Sequence, residues 1–159
     1  MLKQNNKVKI LVCNQFGIDL IKKFEGFKAN PYKCPAGVNT IGYGSTFYPE
    51  GTKVKLTDSA ITEEKATELL MDLLKPFQKS VDSFCRDDVN SNQFSALCSF
   101  CYNVGPNNLK KSTLLKKVNK DPNDLTIRDE FLKWNKFGGK TLTGLTIRRM
   151  AEAKLYFQS

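Results

Sequence analysis

Apolar residues recur with a helical period near the start of the chain. From Gln15 onward the pattern predicts a helix whose apolar face carries Phe16, Leu20, Ile21 and Phe24. Glu25 and Gly26 mark the predicted end of this helix. A catalytic or binding group placed at such an end would lie beside the segment that follows.

That following segment, residues 30–49, changes in character and is rich in Gly, Pro, Tyr and Thr. Residues 40–46 predict a short strand in a small, irregular antiparallel sheet. Gly42 and Gly44 weaken a strand, and glycines placed in this way usually mark the close approach of another group to the backbone.

From Thr62 onward the pattern is helical. Glu63 and Glu64 follow Thr62 as in a helix N-terminus, and an apolar stripe continues to a predicted kink at Pro76. Further helices are predicted over about 92–104, 112–119, 126–136 and 146–157. The fold class is therefore α+β and mainly α. We expect one domain over residues 1–159, with a lobe at 15–60, a joining helix at about 62–80, a helical lobe at about 81–157, and a cleft between the lobes.

Composition narrows the chemistry. The 159 residues, 40% of them hydrophobic, suit one globular domain, and a net charge of +9 favours an anionic partner such as nucleic acid, phospholipid or an acidic wall polymer. The sequence contains no histidine. This excludes Ser-His and Cys-His nucleophilic catalysis and histidine metal sites, and we expect neither a metal nor a cofactor.

The five cysteines are an odd number without a disulfide-like spacing, which favours a reduced, cytoplasmic protein. Cys98 and Cys101 form a C-x-x-C pair, but no βαβ pattern accompanies them, so buried helix thiols are favoured over a redox or zinc site. The apolar run at residues 10–13 is too short for a signal sequence or a membrane span, and no membrane insertion is expected.

One acid stands out by position. Glu25 lies where the first helix ends, between Phe24 and Phe27, and such an apolar setting favours a protonated carboxyl that can act as a general acid. The alternative is an ordinary surface glutamate at a helix end. Position alone leaves both interpretations open.

Residues 24–27, 31–33 and 37–44 resemble the active-site segment of the phage-type lysozymes, the endolysin muramidases of glycoside hydrolase family 24. The family pattern is E-x8-D-x5-T, and Glu25, position 34 and Thr40 keep both spacings. Further landmarks of the family recur in order, at residues 92–105, 112–115, 131–134, 144–149 and 151–153. The resemblance covers roughly residues 15–157.

The resemblance implies a lysozyme-like two-lobed fold and hydrolysis of the β-1,4 bond between N-acetylmuramic acid and N-acetylglucosamine in peptidoglycan. Glu25 matches the acid that protonates the leaving oxygen, and Thr40 matches the threonine that holds the attacking water. The implied role is lysis of a bacterial host for phage release. The implied protein is a monomer that accumulates in the host cytoplasm and reaches the wall through a holin-type lesion.

Cys34 stands where the common pattern has Asp, although family members with cysteine there are recognised. An unperturbed thiol is only a few per cent thiolate at neutral pH. Either Lys33 and Lys28 lower the pKa of Cys34 so that it polarises water or attacks the sugar, or Thr40 and backbone groups do most of the positioning. We expect Cys34 to act as a thiolate through water, with inversion at the anomeric carbon.

The resemblance also assigns substrate contacts to Gly44, Thr46, Tyr102 and Thr113, with core packing as the alternative for Tyr102. Ser45 occupies a place where many relatives have a structural histidine. Three residues are expected to be core or scaffold elements distant from the acid: Trp134, Arg148 and Arg149.

Two rival functions remain. A basic nucleic-acid-binding module would use the +9 charge and the lysine pairs at 110–111 and 116–117, but the lysines are dispersed and no recognition motif accompanies them, so no nucleic acid is expected. The other rival is a lysozyme fold that binds wall polymer without cutting it, and the cysteine at position 34 keeps this possibility open.

Overall fold

The computed structural model describes residues 11–159. Residues 1–10, which include the first residue of the apolar run at 10–13, lie outside the described part. The first helix, α1 (Gln15–Glu25), begins where the Asn14 side chain accepts from the Gly17 amide and ends at Gly26, as predicted.

A small antiparallel hairpin follows, formed by β1 (Lys28–Lys33) and β2 (Asn39–Gly42). Its register pairs Tyr32 with Thr40 and becomes irregular toward Lys28. The predicted irregular sheet is confirmed, but the second strand ends at Gly42 rather than at residue 46. Gly42 and Gly44 both have positive φ (66° and 96°), a conformation that a side chain disfavours, so the chain turns here.

The joining helix α2 (Glu63–Phe84) starts at Thr62, whose side chain accepts from the Lys65 amide, and Pro76 lies inside it. Three helices continue the chain, α3 (Ser91–Val104), α4 (Pro106–Lys111) and α5 (Thr113–Lys120). The predicted N-terminus of α2 and the helices near 92–104 and 112–119 are confirmed, and α4 was missed. Proline at the first position of α4 needs no hydrogen-bond donor there, which lets a new helix begin directly after Gly105.

The remaining elements are α6 (Ile127–Leu132), a two-residue hairpin of β3 (Lys136–Phe137) and β4 (Lys140–Thr141), and α7 (Thr143–Tyr156). The helix predicted over 126–136 is therefore wrong in its second half. Gly138 and Gly139 both have positive φ and turn the chain into the hairpin. As a result α7 begins three residues earlier than predicted.

The helical lobe packs around α3, whose residues from Gln93 to Cys101 are all buried. Cys98 and Cys101 are fully buried there, so the prediction of buried helix thiols is confirmed. Trp134 packs edge-on against Phe100, with ring centroids 5.5 Å apart, as expected for a core element. No helix within residues 11–159 is both long and apolar enough to cross a membrane.

Candidate active site

Glu25 lies between the hairpin and the helical lobe, at the end of α1. Its side chain is 25% exposed. It lines one cavity of about 350 Å³ together with Gly44, Leu73, Phe77, Tyr102 and Asn103. It also lines a second cavity of about 390 Å³, with residues of α7 on the far side. The acid is thus accessible from an open groove while most of its surface is covered.

The most direct partner of Glu25 is Arg148 on α7. Arg148 Nη1 lies 2.8 Å from Glu25 Oε1, and the arginine side chain is only 5% exposed. The expectation that Arg148 is a scaffold element distant from the acid is therefore wrong. The expected apolar setting is also incomplete, because Arg148 places a guanidinium group directly beside the carboxyl.

Arg148 belongs to a buried cluster of charges on α7. Arg148 Nε lies 3.5 Å from Glu152 Oε2, and Arg149 Nη1 lies 3.1 Å from Glu152 Oε1. Ser99 Oγ of α3 donates to Glu152 Oε2 at 2.6 Å. Burial raises the pKa of Glu152, and the two arginines and Ser99 act in the opposite direction. Arg149 also donates to Asn103 Oδ1, which links the cluster to the groove.

Gly44 provides the close approach that the sequence indicated. A β-carbon at this position would lie 3.4 Å from Tyr102 Oη and 3.6 Å from Glu25 Oε2. Any larger residue would occupy space next to the acid, and the positive φ of 96° adds strain. Glycine therefore keeps the groove open at this point.

Tyr102 lies on the groove wall and is held in place by two contacts. Its hydroxyl donates to Tyr43 O at 3.2 Å, and its ring packs edge-on against Phe77 at 5.1 Å. Burial raises its pKa, and the negative charge of Glu25 acts in the same direction. Tyr102 therefore combines groove contact with packing, the two alternatives raised from the sequence.

Cys34 occupies the turn of the β1–β2 hairpin and is partly exposed. Its amide donates to Val38 O at 3.0 Å, and its carbonyl accepts from Gly37 N at 2.8 Å. The pKa of the Cys34 thiol is lowered, first by a hydrogen bond from the Val38 backbone; slight burial opposes this, and the Ala36 backbone and the Thr40 side chain lower it further. Of the two alternatives raised from the sequence, lowering by Lys33 and Lys28 is therefore wrong, because the hydrogen bonds come from the turn itself.

Thr40 is 3% exposed, and its Oγ1 donates to Val38 O at 2.9 Å. A hydroxyl has one proton, so this donor serves either Val38 O or the Cys34 sulfur at a given moment. Its lone pairs can still accept a hydrogen bond from water. Tyr32 interacts with both Cys34 and Glu25. Burial is the main cause that raises the pKa of Tyr32, and the negative charges of Cys34 and Glu25 raise it further.

Two predicted substrate contacts lie elsewhere. Thr46 lines a separate depression of about 180 Å³ with Val38 and Phe47, and it does not line either groove at Glu25. Thr113 is the exposed first residue of α5 and is likewise absent from both linings. Asn103 lines both cavities but was not predicted as a site residue, although it follows Tyr102 directly within the family landmark at residues 92–105.

Ser45 is fully buried, and within the described residues its hydroxyl has no hydrogen-bond partner. Within residues 11–159, we found no group of three or more histidine, cysteine or acidic side chains arranged to hold a metal ion.

A partly covered carboxyl group that lines an open groove can protonate the leaving oxygen of a glycoside, as glycosidases require. The model of the family described as phage lysozyme matches residues 22–152. The chain belongs to the phage lysozyme family.

Individual relatives agree with this family. An endolysin of Bacillus phage B103 is 45% identical over 90% of this chain, which spans only about half (53%) of that relative's length. The solved endolysin from Escherichia coli O157:H7 phage FAHEc1 is 33% identical, with a TM-score of 0.85 over 94% of this chain and 95% of its own. The muramidase domain of SpmX from Asticaccaulis excentricus is 32% identical, with a TM-score of 0.78 over 94% and 99%. The similarity therefore covers both the hairpin and the helical lobe.

Proposed function

We propose that this protein is an endolysin that hydrolyses the β-1,4 bond between N-acetylmuramic acid and N-acetylglucosamine in bacterial peptidoglycan. The observation that carries the proposal is the accessible Glu25 carboxyl in the groove, held by Arg148. The muramidase and endolysin names of the similar proteins supply the substrate class. The net charge of +9 suits an anionic wall.

In this mechanism Glu25 donates its proton to the glycosidic oxygen as the bond to the anomeric carbon breaks. The Cys34 thiolate takes a proton from a water molecule, which the Thr40 oxygen orients. The resulting hydroxide adds to the anomeric carbon from the opposite face. Glu25 ends as a carboxylate and Cys34 as a thiol, and solvent returns the proton. Gly44 and Tyr102 line the sugar site, and Thr46 and Thr113 contact more distant parts of the polymer.

The bond is identified by the new reducing end. Purified peptidoglycan is digested and reduced with borohydride, and the amino sugars are analysed by mass spectrometry. Cleavage after N-acetylmuramic acid yields its reduced alcohol. The reduced alcohol of N-acetylglucosamine would contradict the proposed bond, and binding without any new reducing end would support the rival wall-binding module.

The stereochemistry follows from the role given to water. Because water rather than the Cys34 sulfur attacks, the first-formed product has the inverted anomeric configuration. Proton NMR during the first turnovers detects the anomer before mutarotation. Net retention would show that a covalent intermediate forms and would contradict this part of the mechanism.

The biological setting belongs to the same proposal. The protein acts as a monomer on peptidoglycan, accumulates in the host cytoplasm, and reaches the wall through a holin-type lesion to release phage. Expression with and without a holin tests this route. Lysis that needs no membrane lesion would contradict it.

A further inference from the structure

A further cavity of about 460 Å³, which the proposed reaction does not use, lies next to the groove at Glu25. Its walls come from residues 47–49 and from helix α2, and we call it the Phe47 cavity. We propose that the Phe47 cavity binds sugar rings of the glycan strand away from the bond that is cleaved, with the Phe47 ring as the stacking surface. This inference rests on the proposed function, because it takes a peptidoglycan strand as the substrate.

The Phe47 cavity adjoins the groove at one side chain. Leu73 of α2 lines both, with Glu25 and Gly44 beside it in the groove and Phe47 beside it in the cavity. Gly44 and Phe47 are three residues apart in the sequence, so their Cα atoms lie within about 11 Å of each other. A polymer bound at Glu25 can therefore extend past Leu73 to Phe47.

The Phe47 ring is available to a ligand. Its side chain is wholly apolar, yet the residue is 47% exposed. Phe47 also lines the depression of about 180 Å³ that contains Thr46, so the ring borders open space on more than one side. The faces of an aromatic ring carry partial negative charge and attract the C–H groups that a pyranose ring presents. An exposed ring beside the groove is therefore suited to stacking against a sugar.

The backbone that carries Phe47 is fixed by contacts on both sides of the residue. Phe47 forms an antiparallel bridge with Lys53, and the Tyr48 amide donates to Thr52 O at 2.9 Å. The Tyr48 hydroxyl donates to Asp58 Oδ2 at 2.8 Å. A binding surface that is already ordered loses little conformational entropy when a ligand binds. The segment is therefore preorganised for a ligand.

The chemistry of the walls favours an uncharged ligand. The two charged side chains of the Phe47 cavity pair with each other, because Lys75 Nζ donates to Asp72 Oδ1 at 2.8 Å. The other lining side chains are apolar or aromatic: Phe47, Tyr48, Pro49, Leu69, Leu73 and Pro76. Such walls suit the neutral sugar rings of the glycan better than the carboxylates of the peptides attached to it.

The test measures binding of a peptide-free octasaccharide of the wall glycan by calorimetry, in Glu25→Gln protein so that the ligand stays intact. Adding Phe47→Ala should raise Kd by about tenfold, because the stacking surface is lost. Phe47→Tyr keeps the ring and should leave Kd unchanged. Phe16→Ala is the matched control, since Phe16 is also exposed (58%) but lines neither the groove nor the Phe47 cavity, and it should leave Kd unchanged.

In the active protein, the loss should fall on binding rather than on the chemical step. Phe47→Ala should raise KM for the octasaccharide by about tenfold and leave kcat unchanged, since the ring contacts sugars away from the bond that breaks. A loss of kcat at unchanged KM would show that Phe47 acts on the reacting sugar and would contradict the proposal.

An unchanged Kd in folded Phe47→Ala would overturn the proposal. A loss of binding seen only with glycan that still carries its peptides would also overturn it, because the occupant would then be the peptide. If Phe47→Ala does not fold, Phe47→Leu serves instead, since it keeps apolar volume and removes the aromatic faces. The expected rise in Kd is then smaller, and its absence would be equally contrary.

The two proposals fail separately, because the binding measurement needs no turnover. Glycan binding that depends on Phe47, in a protein that releases no new reducing ends, would contradict the proposed function alone. Full hydrolysis of peptidoglycan, with glycan binding that does not depend on Phe47, would contradict the role of the Phe47 cavity alone.

Discussion

The hairpin and the helical lobe position their candidate site residues by different means. On the hairpin side, Cys34 and Thr40 are positioned by hydrogen bonds to Val38 within the same short turn. On the helical side, Glu25 is held by Arg148, 123 residues away in sequence, and Glu152 by Ser99 of another helix. One side is organised by local backbone geometry and the other by buried long-range contacts.

This difference separates chemistry from stability. The hairpin side is partly exposed, so its reactive group can change at little cost to the fold. The helical side places charges in a buried cluster, where losing one partner leaves another uncompensated. Substitutions on the hairpin side should therefore lower activity more than stability. Substitutions on the helical side should lower stability more than activity.

Arg148→Met should have the largest effect on folding. It leaves Glu25 and Glu152 without their shared cation, and we expect a loss of about 3 kcal/mol in the free energy of unfolding. For a chain of this size that lowers Tm by about 6 to 12 °C, measured by calorimetry at neutral pH. The control Lys33→Met, on the exposed hairpin, should change stability by less than about 0.5 kcal/mol. If both variants were equally stable, the proposed difference between the hairpin side and the helical side would be contradicted.

Cys34→Ser tests the hairpin side. We expect peptidoglycan hydrolysis to fall by about tenfold or more, because a hydroxyl does not ionise at working pH and cannot replace the thiolate. We expect Tm to stay unchanged. Cys98→Ser, which places a hydroxyl in the fully buried core, should do the reverse and cost about 1 to 3 kcal/mol of stability. If Cys34→Ser keeps full activity, the thiolate has no role in turnover.

The stability of the helical lobe should also depend on pH, because the Glu130 carboxyl titrates with a lowered pKa. Burial alone would raise its pKa, but Lys133 and Lys117, each 2.9 Å from Oε1, lower it. A depressed pKa gives stability that is present above the ordinary value of 4.5 and is lost as pH falls through the lower folded value. Glu130→Gln should therefore lower Tm by about 3 °C at neutral pH. This difference in Tm between the parent protein and the variant should disappear in acid. A difference that stays constant down to low pH would contradict the ion-pair account.

The smallest effect concerns thiol reactivity. Burial raises the pKa of Cys85 to about 12 and of Cys101 to about 11, whereas the Val38 backbone lowers that of Cys34. Iodoacetamide should modify the partly exposed Cys34 first among the described cysteines, and at a lower pH than an unstructured cysteine peptide requires. Peptide mapping by mass spectrometry gives the order. First modification at a core cysteine would show that the hairpin turn does not activate its thiol.

The same contrast explains what the sequence could reveal. The end of α1, the capping of α2 by Thr62 and the irregular hairpin depend on local signals, and all were predicted. The β3–β4 hairpin also had a local signal, two adjacent glycines, but the helical pattern before it was extended too far. Helix α4 was missed because its six residues follow a glycine and proline that normally mark a loop.

The role of Arg148 had no local signal. Its position on α7 gives no indication that it meets Glu25, because the packing of α7 against α1 and α3 is a tertiary result. The source of the lowered Cys34 pKa was missed for a different reason. Neighbouring lysines are visible in the sequence, whereas the direction of backbone N–H groups in a turn is visible only in the structure.

The central claim is that Glu25 donates the proton that breaks the glycosidic bond. The most direct measurement is the rate at which Glu25→Gln releases new reducing ends from purified peptidoglycan, compared with the parent protein at equal folded concentration. The account predicts a rate lower by about a thousandfold with an unchanged circular dichroism spectrum. A folded Glu25→Gln that hydrolyses peptidoglycan at a rate within a few fold of the parent would contradict it.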